Sequence, residues 1–254
     1  MVYLNTPLSR HSRVRNPRYP GALAQKVRRV TGVGLFTLLT LPGCGPAHEA
    51  SGPTPVELNL EAVAEEALVA TMPETPVQIT FDFRLKEADL RFEGEGVARV
   101  EPPYRVRIDL FSTRGEGLFR AALVGSDLRV PPGVPLELAP PPALLWAALG
   151  VFRPDSGLRV LEGRSVKNGS VTLRYGGDAG EDLRFRLTEG LLTRAEIYQD
   201  GHLIEEVDLE LNESSENVVE TVYRNRALFL ELTFSLKSVE TVESFPSDIW
   251  DPGR

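Results

Sequence analysis

Catalysis and metal binding need nucleophiles, general bases and soft ligands, and this chain holds few of them. Its histidines are His11, His48 and His202, and its only cysteine is Cys44. One cysteine cannot form a disulfide within the chain. His202 follows Asp200-Gly201, but a serine triad needs a nucleophile on a sharp turn, and no Gly-x-Ser-x-Gly elbow occurs in the chain. With His202 as the sole histidine after the tether, a zinc site lacks its ligands. Gly94, Gly96, Gly115 and Gly117 match neither a P-loop nor a dinucleotide fingerprint. Glu205, Glu206, Asp208 and Glu210, with Glu213 and Glu216, lack the spacing of a calcium loop and read as a solvated strand face. The expectation is a protein that is not an enzyme and carries no cofactor or metal.

The remaining reactive group is the Cys44 thiol, and its surroundings point to one use. Lys26-Val27-Arg28-Arg29 is a basic segment, and Val30 to Leu41 is an apolar run too short to span a bilayer, in the order of an export signal. The run ends in Leu41-Pro42-Gly43-Cys44, which resembles the lipobox of bacterial lipoproteins. Pro42 departs from the small or polar residue usual there. The resemblance implies a diacylglyceryl thioether on Cys44 and cleavage after Gly43, with palmitate-type acylation of the new amine. Two or three acyl chains on one residue hold a protein firmly on a membrane. Gly45 stands where an Asp retains such proteins in the inner membrane of enteric bacteria, so the resemblance implies the periplasmic face of the outer membrane. Residues 1–43 read as the signal peptide, with 1–25 explained by a start site placed too far upstream. Residues 44–57 read as the lipidated Cys and a flexible tether rich in proline and glycine.

Charge divides the chain at the same place. The seven basic residues before Cys44 have no acidic companion, which leaves 21 basic against 36 acidic residues, a net of −15, from Cys44 onward. Such a body excludes nucleic acid as a partner, because no basic face is there to displace counterions. At 254 residues with 42% hydrophobic content the chain suits one ordinary domain plus extra segments. That domain is expected over 58–250, with 251–254 as a tail.

The elements of the body follow from periodicity. Asn59 is placed to cap a helix over 59–72, where Leu60, Val63, Ala64, Ala67 and Leu68 share a face and Pro73 ends it. After Pro76 the period becomes two. Val77, Ile79, Phe81, Phe83 and Leu85 alternate with polar residues, as do Tyr104, Val106, Ile108 and Leu110. Gly94 and Gly96 suggest a bend or bulge. Asn168-Gly169 and Asp200-Gly201 are hairpin signals, and the last pair of strands spans 218–224 and 227–237. Ala143 to Gly150 is a nearly all-apolar helix that must be buried, as a plug or a lid. The fold class is therefore mainly β: a curved, antiparallel, unclosed half-barrel of about eleven or twelve strands, with an N-terminal helix and a central helix.

Helix 59–72, Phe92-Glu93-Gly94-Glu95-Gly96-Val97 leading to Pro103-Tyr104-Arg105-Val106-Arg107-Ile108, the hairpin at Arg114 to Gly117, helix 143–150 and Phe245-Pro246 before Ile249 together resemble the Lol-type lipoprotein carrier and receptor superfamily. The lipobox makes the chain more similar to the membrane-anchored receptor than to the soluble carrier. The resemblance implies a monomer whose concave face holds acyl chains of lipid or lipoprotein, and a soluble periplasmic carrier as partner. On that reading the groove residues are Ile79, Phe81, Phe83, Phe92, Tyr104, Val106, Ile108, Leu110, Trp146 and Leu149. The receptor also presents an exposed hydrophobic residue on a protruding loop, whereas Ser112 to Gly117 is polar here. The alternative is a structural or accessory envelope lipoprotein with a filled core.

Overall fold

The structure, a computed structural model, describes residues 59–134, 139–165, 169–177, 180, 182–212 and 218–253. The expected signal segment, Cys44, the expected tether, Asn168, Glu213 and Glu216 lie outside the described residues. The described residues all belong to one compact unit, Pro55–Arg254. With its own hydrophobic core, that unit has what a domain needs to fold alone.

Helix α1 (Leu60–Thr71) starts where its cap predicts: the Asn59 side chain accepts from the Ala62 N–H at 3.1 Å. Its buried residues are Ala64 and Ala67, whose small side chains let it lie close over the sheet, while Leu60, Val63 and Leu68 pack beside them. Five strands follow in meander order: β1 (Val77–Glu87), β2 (Leu90–Glu101), β3 (Arg105–Ser112), β4 (Gly117–Val124) and β5 (Asp127–Arg129). Helix α2 (Pro142–Ala148) leads to a second meander. Its strands are β6 (Arg159–Ser165), β7 (Ser170–Gly176), β8 (Asp182–Thr188), β9 (Leu191–Gln199), β10 (His202–Leu211), β11 (Val218–Asn225) and β12 (Leu230–Thr241). Asp200 and Gly201 both take positive φ, as the two-residue turn between β9 and β10 requires.

The twelve strands form one antiparallel sheet in the order β5-β4-β3-β2-β1-β12-β11-β10-β9-β8-β7-β6. Its edges are β5 and β6, which do not meet, so the half-barrel is unclosed. The two meanders join along β1 and β12, paired from Val77↔Thr241 to Glu87↔Leu230 with one shift between Thr80 and Phe81. That pairing keeps one apolar face continuous across the seam: Phe81, Phe83 and Leu85 stand opposite Leu236, Phe234 and Leu232. Both helices pack on this inner face, α1 over β6 and β9 and α2 over β9 to β11.

Two local expectations are corrected. The β1–β2 ladder runs without interruption from Val77↔Val100 to Glu87↔Leu90, so Gly94 and Gly96 make no bulge there. They are small because aromatic rings lie across them: a Cβ on Gly96 would sit 2.1 Å from the Phe81 ring, and one on Gly94 3.0 Å from the Phe83 ring and 1.9 Å from the Phe111 carbonyl oxygen. A register shift falls instead between β1 and β12, where Lys237 is the extra residue. Ala227 to Phe229, expected within a strand, are a turn closed by the Asn225 side chain, which accepts from the Leu228 N–H at 3.0 Å.

The outer face is polar but not merely solvated. Glu206 is 2% exposed, held by Arg194 and by Arg226 at 2.6 Å. Arg194 also pairs with Glu196 and Asp208, Arg224 joins Asp208 to Glu231, and Lys86 closes on Glu231 from β1. Of the expected solvated acidic face, Glu206 and Asp208 thus sit in a cross-strand ladder in which arginines from neighbouring strands neutralise them, Glu205 accepts from the Tyr223 hydroxyl, and Glu210 is exposed. Losing one partner of a pair as buried as Glu206 is costly because the other charge is stranded. Farther along, a 3₁₀ turn at Ser247–Trp250 straps the outer side of β3 and β4. Arg107 and Arg129 donate to the Ile249 and Trp250 carbonyls at 2.8 and 3.2 Å.

Candidate functional site

The described candidate is an apolar cavity on the inner face, where the C-terminal ends of both helices meet the seam. Its volume is about 310 Å³. Strand β1 supplies Val77, Ile79 and Phe81, and β12 supplies Phe234, Leu236 and Val239. Period-two alternation and the β1–β12 register bring these six side chains to one wall. Phe81 and Phe234 meet edge to face with centroids 4.8 Å apart, and the Phe81 ring is free to lie over β2 because Gly96 has no side chain. The other lining comes from Thr71 to Pro73 at the end of α1 and Ala148 to Val151 at the end of α2.

Backbone chemistry sets those two helix ends. α2 stops because Gly150 takes φ +79°, with the Gly150 N–H donating to the Ala147 carbonyl and the Val151 N–H to that of Trp146. A Cβ at Gly150 would also approach Val218 of β11 to 3.0 Å, so glycine serves both the cap and the cavity wall. Thr71 ties the two ends together. Its hydroxyl donates to the Ala67 carbonyl at 2.8 Å and accepts the Phe152 N–H at 2.9 Å.

Among the described residues that line the cavity, none is charged, and the only hydroxyls are those of Thr71 and Thr221. Apolar walls with so few polar anchors suit a hydrocarbon, which binds through buried area rather than direction.

Of the ten residues expected to face a groove, Ile79, Phe81, Ile108 and Leu149 line the cavity. Phe83, Val106, Leu110 and Trp146 are buried in the packed core around α2 instead. Trp146 is 1% exposed, and its indole N–H donates to the Gly125 carbonyl at 3.2 Å. Tyr104, at φ +129°, packs edge-on against Trp146 and lies under the Arg153 guanidinium at 3.5 Å. Phe92 is 45% exposed near the far end of the sheet, in the same region as Leu90 and Phe229. Leu228-Phe229 between β11 and β12 is an exposed apolar turn, while the Ser112 to Gly117 hairpin is polar at its tip. Sequence reasoning missed Val77 and the β11 and β12 contributions. The alternation of Leu230 to Leu236 signalled a dry face, but nothing local signalled its pairing with β1.

Titratable groups lie away from the cavity. Glu205 is pushed up by burial, partly offset by the Tyr223 hydroxyl, which donates to it at 2.7 Å. Burial likewise raises Tyr223. Burial first, and then the Glu61 carboxylate of α1, push Tyr175 up to about 12. On the outer face, hydrogen bonds from Arg184 and Arg174 hold Asp182 below the usual range, and Lys86 does the same for Glu231. His202 is exposed at the start of β10. Among the described residues no group of three or more His, Cys, Asp or Glu is arranged to hold a metal ion.

No family model matches the chain. No curated protein matches it either. Among solved structures it is similar to a LolA superfamily protein from Nitrosomonas europaea, at 13% identity and TM-score 0.50, over 76% of this chain and 97% of that one. It is also similar to a DUF1329 family protein from Desulfovibrio piger, at 8% identity and TM-score 0.47, over 76% and 97%. The first likeness is one of fold alone: this unclosed antiparallel sheet with helices on its inner face is similar to the fold of that LolA superfamily protein. The fold is the one the sequence resemblance named.

Proposed function

We propose that this chain is a lipid-anchored cell-envelope protein that binds acyl chains of lipid or lipoprotein in its half-barrel. It would act in lipid or lipoprotein transfer or localisation at the periplasmic face of the outer membrane. The observation that carries this reading is the uncharged cavity of about 310 Å³ at the β1–β12 seam. The LolA-type fold and the lipobox-like segment ending at Cys44 support it. On this reading the protein binds rather than catalyses, Cys44 carries the anchor, and a soluble periplasmic carrier exchanges ligand with the monomer.

The second reading, an accessory subunit with a filled core, is favoured by one observation. Trp146 and Phe152 are 1% and 0% exposed, so much of the inner face is already occupied.

Native mass spectrometry and organic extraction of residues 55–254, secreted to a bacterial periplasm without the anchor, separate the two. The expected result is co-purifying acyl ligand that is lost on Ile79→Asp in a protein that still folds. Ile79 is half-buried on the cavity wall, so it tests the site with less damage than Phe83, which is core. A ligand-free mass, with no uptake of a fluorescent fatty acid, would sink the first reading.

A further inference from the structure

The outer face of β6 to β9 lies on the opposite side of the sheet from the cavity, and it carries a shallow depression. Arg164, Arg174, Arg184 and Arg186 line it against Glu162 and Glu196. Four arginines against two carboxylates make a locally positive spot on a body whose net charge is −15. We infer that Arg164, Thr172 and Arg186 form a binding site for a phosphate group, either free or carried by a lipid head group.

Strand pairing builds the site. Arg164 of β6 stands opposite Thr172 of β7, and Thr172 stands opposite Arg186 of β8. The three residues make one row across three strands, with a hydroxyl between two guanidinium groups. Neighbouring strands lie about 4.8 Å apart, so the two arginine backbones are about 10 Å apart and both side chains can reach a group held over Thr172.

The neighbouring row shows what this one lacks. Arg174 and Arg184 face each other across β7 and β8, and like charges so placed repel. Asp182 resolves that pair, because both guanidinium groups donate to it at 3.1 Å. Arg186 faces Arg194 across β8 and β9 in the same way. Arg194 turns to Glu196, Glu206 and Asp208. Among the described residues, Arg186 pairs with no carboxylate and the Thr172 hydroxyl has no hydrogen-bond partner. Arg164 touches Glu162 at 3.3 Å, but its side chain is 78% exposed, and so exposed a pair is easily given up. An anion arriving from solvent does for Arg186 what Asp182 does for Arg174 and Arg184. Two planar forks on either side of a hydroxyl suit the tetrahedral oxygens of a phosphate better than the flat pair of a carboxylate.

The test is an NMR titration of residues 55–254 with inorganic phosphate in place of chloride, at constant ionic strength so that screening does not change. The amide signals of Arg164, Thr172 and Arg186 should move and saturate. Arg186→Gln should weaken binding about tenfold, and Arg186→Lys about threefold, because lysine keeps the charge and loses the fork. Arg186 is exposed, so neither variant threatens the fold. Arg91→Gln, at an exposed arginine on β2, should leave binding unchanged. Flotation with phosphatidylcholine vesicles, with and without phosphatidic acid, separates the two sources. Flotation that needs phosphatidic acid and is lost in Arg186→Gln supports the site with a head group as its ligand. Saturating phosphate binding without flotation supports it with a soluble phosphate. Signals that do not respond or never saturate would overturn the inference. So would an Arg91→Gln loss equal to that of Arg186→Gln, which would mean diffuse charge alone, or a glutamate peptide that binds more tightly than phosphate.

Discussion

The two helices share one face of one sheet, and they are built differently. In α2, Ala143 to Ala148 are all buried, and its tryptophan is hydrogen-bonded to the β4–β5 turn. In α1 only Ala64 and Ala67 are buried, three glutamates face water, and Val69 is 74% exposed. An all-apolar helix has no stable position except inside, whereas an amphipathic one rests on a surface. α2 is thus a fixed plug, and α1 is a cover tied to the segment after α2 by one threonine. The cavity lies where the cover and the plug end together. A site at such a boundary keeps a rigid floor while one wall is held by few contacts.

The sharpest way to break this comparison is Trp146→Ala. If α2 is a plug, the loss is about 3–5 kcal/mol, read as a lowered urea midpoint. A loss under about 1 kcal/mol would mean the space around α2 is not filled. Thr71→Val comes next. It leaves the Phe152 N–H without its acceptor, at about 1–3 kcal/mol. It should also raise hydrogen exchange in α1 while α2 stays protected, and Thr71→Ser should restore both. Equal exchange in both helices would erase the distinction. The smallest effect is spectroscopic. Tyr175 is held near 12 against an ordinary 10.0 by burial and by Glu61 on α1. Its neutral phenol favours the fold in full below about pH 10, and that contribution is lost as the pH climbs through about 12. Glu61→Gln should lower the phenolate transition partway toward the ordinary value. An unchanged transition would show that α1 is not seated over Tyr175.

Much of the architecture was legible because local rules and tertiary packing agree. Asn59 caps the helix it was expected to cap, Asp200-Gly201 makes its turn, and period-two alternation marks the strands. The central helix is buried as its composition demands. The site was half legible. Ile79, Phe81, Ile108 and Leu149 were readable as apolar and inward, but so were Phe83 and Leu110, and alternation cannot tell a wall from a core. What separates them is position along the sheet relative to the helix ends, and no short-range pattern encodes that. The β1–β12 pairing joins residues such as Thr80 and Ser238, 158 positions apart, so the wall from β12 was invisible. The outer ladder was hidden for the same reason: Glu206 reads as solvated until strand neighbours place Arg194 and Arg226 beside it.

The strand order also bears on how the chain is made. The sheet's two edges, β5 and β6, are joined through the middle of the sequence, while its central seam unites the first strand with the last. Synthesis delivers β1 early and β12 last, so each meander can zip locally as it emerges, but the two remain unjoined until nearly the whole chain is out. Loop-closure entropy makes this long-range pairing the slow event. The final, cavity-forming step therefore waits for the residues of β12.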